Sequence, residues 1–113
     1  MRKFSRRKEH RESMLKNLCK SLIQHGRIKT TLAKAKDVRP YIEKLITRSK
    51  ENNLHNLRIL KSKLQNDVNT VKKLFEIGAK NININGGYTR IVRSGFSAAG
   101  FIPQAIIEII DRE

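Results

Sequence analysis

Disulfide chemistry has almost nothing to work with in this chain. Its one cysteine, Cys19, leaves no partner for an internal bridge and no multi-cysteine zinc site, and it fits a reducing compartment. The three histidines, His10, His25 and His55, lie far apart, without an HExxH or an i, i+4 ligand pair, so no metal site is expected. No uninterrupted apolar run approaches the roughly 18 residues that cross a bilayer, and no membrane partner is expected. The opening MRKFSRRKEH has no apolar core of a secretory signal. It is Arg-rich like a transit peptide, but Glu9, Glu12 and its shortness argue against one. It reads as a basic arm, residues 1–10, ahead of a single domain, 11–113.

Acidic residues are also scarce. Ten Asp and Glu stand against 25 Lys and Arg, a formal charge of +15 over 113 residues. Such an excess repels itself and is best tolerated when a polyanion neutralises it. Residues 1–63 hold 19 of the basic and 5 of the acidic side chains, so the excess belongs to the N-terminal half. The C-terminal half reads as scaffold.

Periodicity then supplies the elements. Met14, Leu15, Leu18, Cys19, Leu22 and Ile23 form one helical stripe, stopped by Gly26. RIKTTL (27–32) reads as a short strand, and Thr30 or Thr31 as the cap of a helix over 33–50. Pro40 either kinks that helix or moves its start to near Asp37. Leu54, Leu57, Leu60 and Leu64 mark a third helix; Asp67 caps a fourth, closed by Gly78. NININ (81–85) is a loop, because asparagine is strand-averse. YTRIVRSGF (88–96) and QAIIEIIDR (104–112) are strands. The order helix, strand, three helices, two strands predicts an α+β fold, a two-layer α/β domain with a small mixed sheet.

No catalytic set emerges from these elements. Gly86 and Gly87 resemble a phosphate loop only superficially: a strand, not a helix, leads out, and no GK[ST] or GxGxxG is present. They read as a turn needing positive φ. Cys19 sits on an apolar stripe, as an inert core thiol does. Glu9, Glu12, Asp37, Glu43 and Glu51 are interleaved with Lys and Arg on helices, where solvated ion pairs are the default. Glu108 and Asp111, three apart on a strand, point to opposite faces. No small-molecule substrate, cofactor or enzymatic activity is expected.

The basic residues carry the signal. Arg2, Lys3, Arg6, Arg7, Lys8 and Arg11 crowd one short segment with a single aromatic, Phe4. That segment is expected to be irregular until phosphates neutralise it. Arg27, Lys29, Lys34, Lys36 and Arg39 bracket a strand and a helix start, where free N–H groups add to the pull on phosphate. With no aromatic pair of the kind that stacks bases on an RNA-recognition sheet, no GXXG and no zinc finger, stacked single-strand readout is not expected. Shape and backbone binding to structured RNA fits better. Composition alone equally allows a free nucleic-acid-binding module of nucleoid or RNA-chaperone type.

The segments RKFSRRKEHR (2–11), ESMLKNLCKSLIQH (12–25), IKTTLAKAKDVRPYIEKLIT (28–47), GGYTRIVRSGF (86–96) and IIEIIDR (106–112) resemble the bacterial large-subunit ribosomal protein seventeen family nearly end to end. The resemblance implies a structural, non-catalytic protein bound to large-subunit ribosomal RNA and packed beside neighbouring large-subunit proteins, near the peptide exit side. The place implied is the cytoplasm, in the large subunit of a bacterial or an organellar ribosome. Basic residues ahead of RKF are fewer than in the family, and NININ replaces a basic loop, so RNA contact is not expected at NININ. The expected RNA-binding set is Arg2, Lys3, Arg6, Arg7, His10, Arg11, Lys16, Lys20, Arg27, Lys29, Thr30, Thr31, Lys34, Lys36, Arg39, Tyr88, Arg90 and Arg93. Strand alternation separates the last two arginines. Arg90, beside Tyr88 as an amphipathic platform, is favoured for RNA, and Arg93 is placed lower.

Overall fold

A computed structural model describes residues 5–112, with side chains from Lys8 onward. Two of the four helices pack against a three-stranded sheet, and the other two pack on those helices. In chain order they are α1 (Ser5–His25), β1 (Arg27–Thr31), α2 (Leu32–Ser49), α3 (Leu54–Lys63), α4 (Val68–Lys80), β2 (Thr89–Phe96) and β3 (Pro103–Ile109). The α+β expectation and the element order stand.

Helix α1 starts earlier than expected. Residues 5–10, read as irregular arm, are helical. Arg, Lys and Glu are good helix formers, and extending an existing helix costs far less than nucleating one. The remainder of the expected arm, with Arg2 and Lys3, lies outside the described residues. At the other end Gly26, at φ 80°, turns the chain, and its N–H reaches the Leu22 carbonyl at 2.8 Å.

Helix α2 begins at Leu32, not near Asp37, because Thr31 caps it: its hydroxyl accepts from the Lys34 N–H at 3.2 Å. Such a cap is worth about 1 kcal/mol. The helix continues through Pro40, carried by a buried stripe of Ala35, Val38, Ile42, Leu45, Ile46 and Ser49. Asn53 and Asp67 cap α3 and α4 in the same manner. The central core is Leu22, Ile23, Ile42, Ile46, Leu60, Leu74 and Ile107, all fully buried.

The sheet has the order β1-β3-β2 and is antiparallel throughout, rather than mixed. The β2–β3 hairpin forces one antiparallel pair. With β3 in the centre, β1 pairs with it and never meets β2. The register puts Ile28, Thr30, Ala105, Ile107, Ile109, Thr89 and Ile91 on the helix-facing side. Arg27, Lys29, Ile106, Glu108, Arg90 and Val92 line the open side. Ser94 is a bulge, since Arg93 pairs with Ala105 and Gly95 with the adjacent Gln104.

Candidate nucleic-acid interface

Strand β1 sets the geometry. Alternation turns Arg27 and Lys29 outward onto the open face, where both are exposed. Past the Thr31 cap, α2 buries Ala35 and Val38 and so leaves Lys34, Lys36 and Arg39 in solvent. These five exposed cations make a basic strip along the chain, from the end strand of the sheet into the first turns of the helix. The acid within it, Asp37, is tied to Arg11 of α1 at 3.2 Å. That ion pair draws α1's basic face, with exposed Lys8 and His10, alongside the strip.

Across the sheet the register aligns Arg27, Glu108 and Arg90 in one row. Arg90 donates its Nε–H to the Glu108 carboxylate. That hydrogen bond, aided by the nearby charge of Arg27, holds the Glu108 carboxyl below its ordinary value. The next row is Lys29, Ile106 and Val92, so this row runs from basic at β1 to apolar at β3 and β2.

Some other expected residues are less exposed or already partnered. Lys20 pairs with Asp67 at 3.4 Å and is half-buried, as is Lys16. Thr31 uses its hydroxyl oxygen in the cap, and Thr30, opposite buried Ala105, faces the helices. Arg6 and Arg7 lie in the first turns of α1. Cys19 is fully buried, and burial pushes its thiol up to about 12, as suits an inert core group.

Tyr88 corrects the expectation most sharply. It is 1% exposed, so it offers no platform to RNA. Its hydroxyl donates to the Ile84 carbonyl at 3.1 Å and accepts from Thr47 Oγ1 at 3.2 Å. Lys50 Nζ lies 4.9 Å from the ring centroid and donates to the Ile84 carbonyl. Gly86 and Gly87, at φ 123° and 68°, deliver both Tyr88 and Thr89 inward, breaking simple alternation before the strand begins. The expected carboxylate pairing falls on Arg90 and not on Arg93. Arg90 is the one bound to a carboxylate, whereas Arg93 is exposed and makes no ion pair among the described residues.

Sequence reasoning also passed over Glu43, filed among solvated helix acids. Its carboxylate accepts from the Thr89 N–H at 2.9 Å, the Thr89 hydroxyl at 2.6 Å and the Tyr88 N–H at 3.2 Å. It fastens the start of β2 to α2. No local signal reveals this, because the partners lie 45 and 46 residues away.

A family model described as ribosomal protein L17 matches residues 14–110 of this fold, which is most of the chain. The chain belongs to the ribosomal protein L17 family. Among curated relatives, the large ribosomal subunit protein bL17 of Ehrlichia chaffeensis is 49% identical over 116 residues, covering 99% of this chain and 87% of its own. The bL17 proteins of Jannaschia sp. (47% over 113 residues, 99% and 81% covered) and Anaplasma marginale (48% over 117 residues, 99% and 87%) are similar. The L17 family comprises structural ribosomal proteins and not enzymes, in keeping with a site built of cations, caps and turns.

Proposed function

We propose that the protein is a structural constituent of the large subunit of a bacterial ribosome. It holds folded ribosomal RNA by phosphate contacts and packs beside neighbouring ribosomal proteins. The observation that carries the RNA reading is the strip Arg27, Lys29, Lys34, Lys36 and Arg39. All five cations are exposed on the consecutive elements β1 and α2, and the acid among them is already engaged by Arg11. A surface of that kind neutralises phosphates spaced along a backbone and reads no base edge, so it selects shape. The α1 side adds Lys8, His10 and Arg11, and the basic residues of 1–7 extend the charge further along the chain.

The test is salt-dependent binding of the full chain to large-subunit ribosomal RNA. Replacing all five strip residues by alanine is expected to flatten the plot of log affinity against log salt by roughly 0.7–0.9 per lost phosphate contact. Melting should stay nearly unchanged, since exposed substitutions cost within about 0.5 kcal/mol. In cell extracts the unaltered chain should sediment with large subunits through a moderate salt wash. A soluble or DNA-bound protein, or an unchanged salt slope, overturns the reading.

A further inference from the structure

The far end of the β2–β3 hairpin is unlike the rest of the surface. Phe96 is 67% exposed and Phe101 85% exposed, with Ile102 also in solvent. The chain has only six Phe and Tyr in all, so placing two at one turn calls for a partner. The turn is built rather than loose. Ser97 N–H donates to the Ile102 carbonyl at 2.7 Å, and Gly100 N–H to the Ser97 carbonyl at 2.7 Å. Gly95 and Gly100 both take positive φ, at 100° and 78°. The rings therefore project from a pre-formed support.

The bulge decides what stands beside them. Ser94 is unpaired in the ladder, so Phe96, opposite Pro103, returns to the side of the sheet that carries Arg93, opposite Ala105. Ring and guanidinium become successive neighbours on one face. The same end of the sheet receives the start of α2, because Thr31 pairs with Gln104 and Gln104 with Gly95. Its exposed Lys34 and Lys36 lie there. No acidic residue occurs anywhere between Glu76 and Glu108. The surroundings of the rings thus complement a polyanion, and flat rings beside cations fit a nucleobase beside its phosphate.

We propose that Phe96 and Phe101, with Arg93, form a stacking site for an unpaired base of structured RNA. This rests on the RNA-binding reading above and adds a base contact to it. Strip and hairpin then divide the task, the strip following paired backbone and the hairpin seizing an extruded nucleotide.

The experiment uses the full chain and two RNA hairpins of equal length, one fully paired and one carrying a single bulged 2-aminopurine. The protein is expected to bind both, to prefer the bulged RNA and to change its fluorescence. Phe101→Leu keeps apolar bulk but removes the ring. It should lower affinity for the bulged RNA by roughly five- to a hundredfold and leave the paired RNA unaffected. Phe101→Tyr should retain the preference. Both variants are exposed changes, and an unaltered melting curve confirms folding. Equal binding of both RNAs without a fluorescence change overturns stacking while the phosphate reading survives. Binding of neither RNA overturns both. If Phe101→Leu leaves RNA binding intact but abolishes self-association or incorporation into reconstituted subunits, the patch belongs to a protein contact and the proposal falls.

Discussion

Gly78 of α4 packs directly on Ser49 of α2. A Cβ built on Gly78 would stand 2.3 Å from Ser49 Oγ and 2.6 Å from its carbonyl oxygen. The two helices touch through backbone at this point, as a glycine alone permits. Gly78→Ala is therefore expected to force them apart and cost roughly 1–3 kcal/mol or more, as overpacking does. Adding Ser49→Ala should not restore stability, because the backbone carbonyl still blocks the methyl group. Urea unfolding of both variants decides it; full rescue by the second change would place the clash in the hydroxyl alone.

The Glu43 clasp predicts a different kind of loss. Glu43→Ala leaves the amides of Tyr88 and Thr89 and the Thr89 hydroxyl without their acceptor, in residues that are almost fully buried. Such orphaned donors cost about 1–3 kcal/mol each when water cannot reach them. Glu43→Gln keeps one carbonyl oxygen and should lose less. Amide exchange gives the local signature: Thr89 should exchange faster in Glu43→Ala relative to β3 amides. Uniform acceleration through the molecule would point to global destabilisation instead.

These two contacts mark where the sequence stops being legible. Helices and strands announced themselves through periodicity and caps, as at Thr31 and Asp67, because those signals act within a few residues. The helical stripes of Leu22 and Ile42 likewise gave the core. Gly78 was read as the end of the fourth helix, yet α4 runs on to Lys80, and what the glycine serves is a tight seat on Ser49 where two helices meet. Glu43 and Tyr88 were misjudged, and the ion pair of Arg90 was not assigned, for the same reason, since each is defined by a partner from another element. The bulge at Ser94 has no residue signature, and it alone decides that Phe96 sits beside Arg93. The basic strip was readable because exposed charge needs no partner to be exposed.

Glu108 links the sheet to pH. Its folded pKa lies below the ordinary value, first through the hydrogen bond from Arg90. A carboxyl lowered on folding contributes stability that is fully present above its unfolded pKa, about 4.3. That contribution drains as pH falls through the lower folded value. Glu108→Gln should thus be less stable than the parent chain at neutral pH, with the difference shrinking below about pH 4. Asp67, lowered chiefly by the Thr70 N–H, titrates in the same range, so the comparison must be made at Glu108 itself. A difference independent of pH would show that Glu108 acts by shape and not by charge.

The final prediction separates the two arginines of β2. Arg93 is exposed and makes no ion pair among the described residues, so a phosphate can engage it without first breaking a bond. Arg93→Ala is expected to reduce RNA affinity and flatten the salt dependence by roughly 0.7–0.9 log units, the value of one phosphate contact. Its stability should stay within about 0.5 kcal/mol of the parent. Arg90 must release Glu108 before it can serve RNA. Arg90→Ala should therefore change the salt slope less, yet move the acid limb of stability toward the ordinary carboxylate range, because Glu108 loses its main donor. Filter binding to a large-subunit RNA fragment at several salt concentrations, paired with unfolding at neutral and acid pH, measures both effects on the same two variants. If Arg90→Ala carries the larger slope change and leaves the acid limb untouched, the ion pair is incidental and Arg90 is the RNA contact after all.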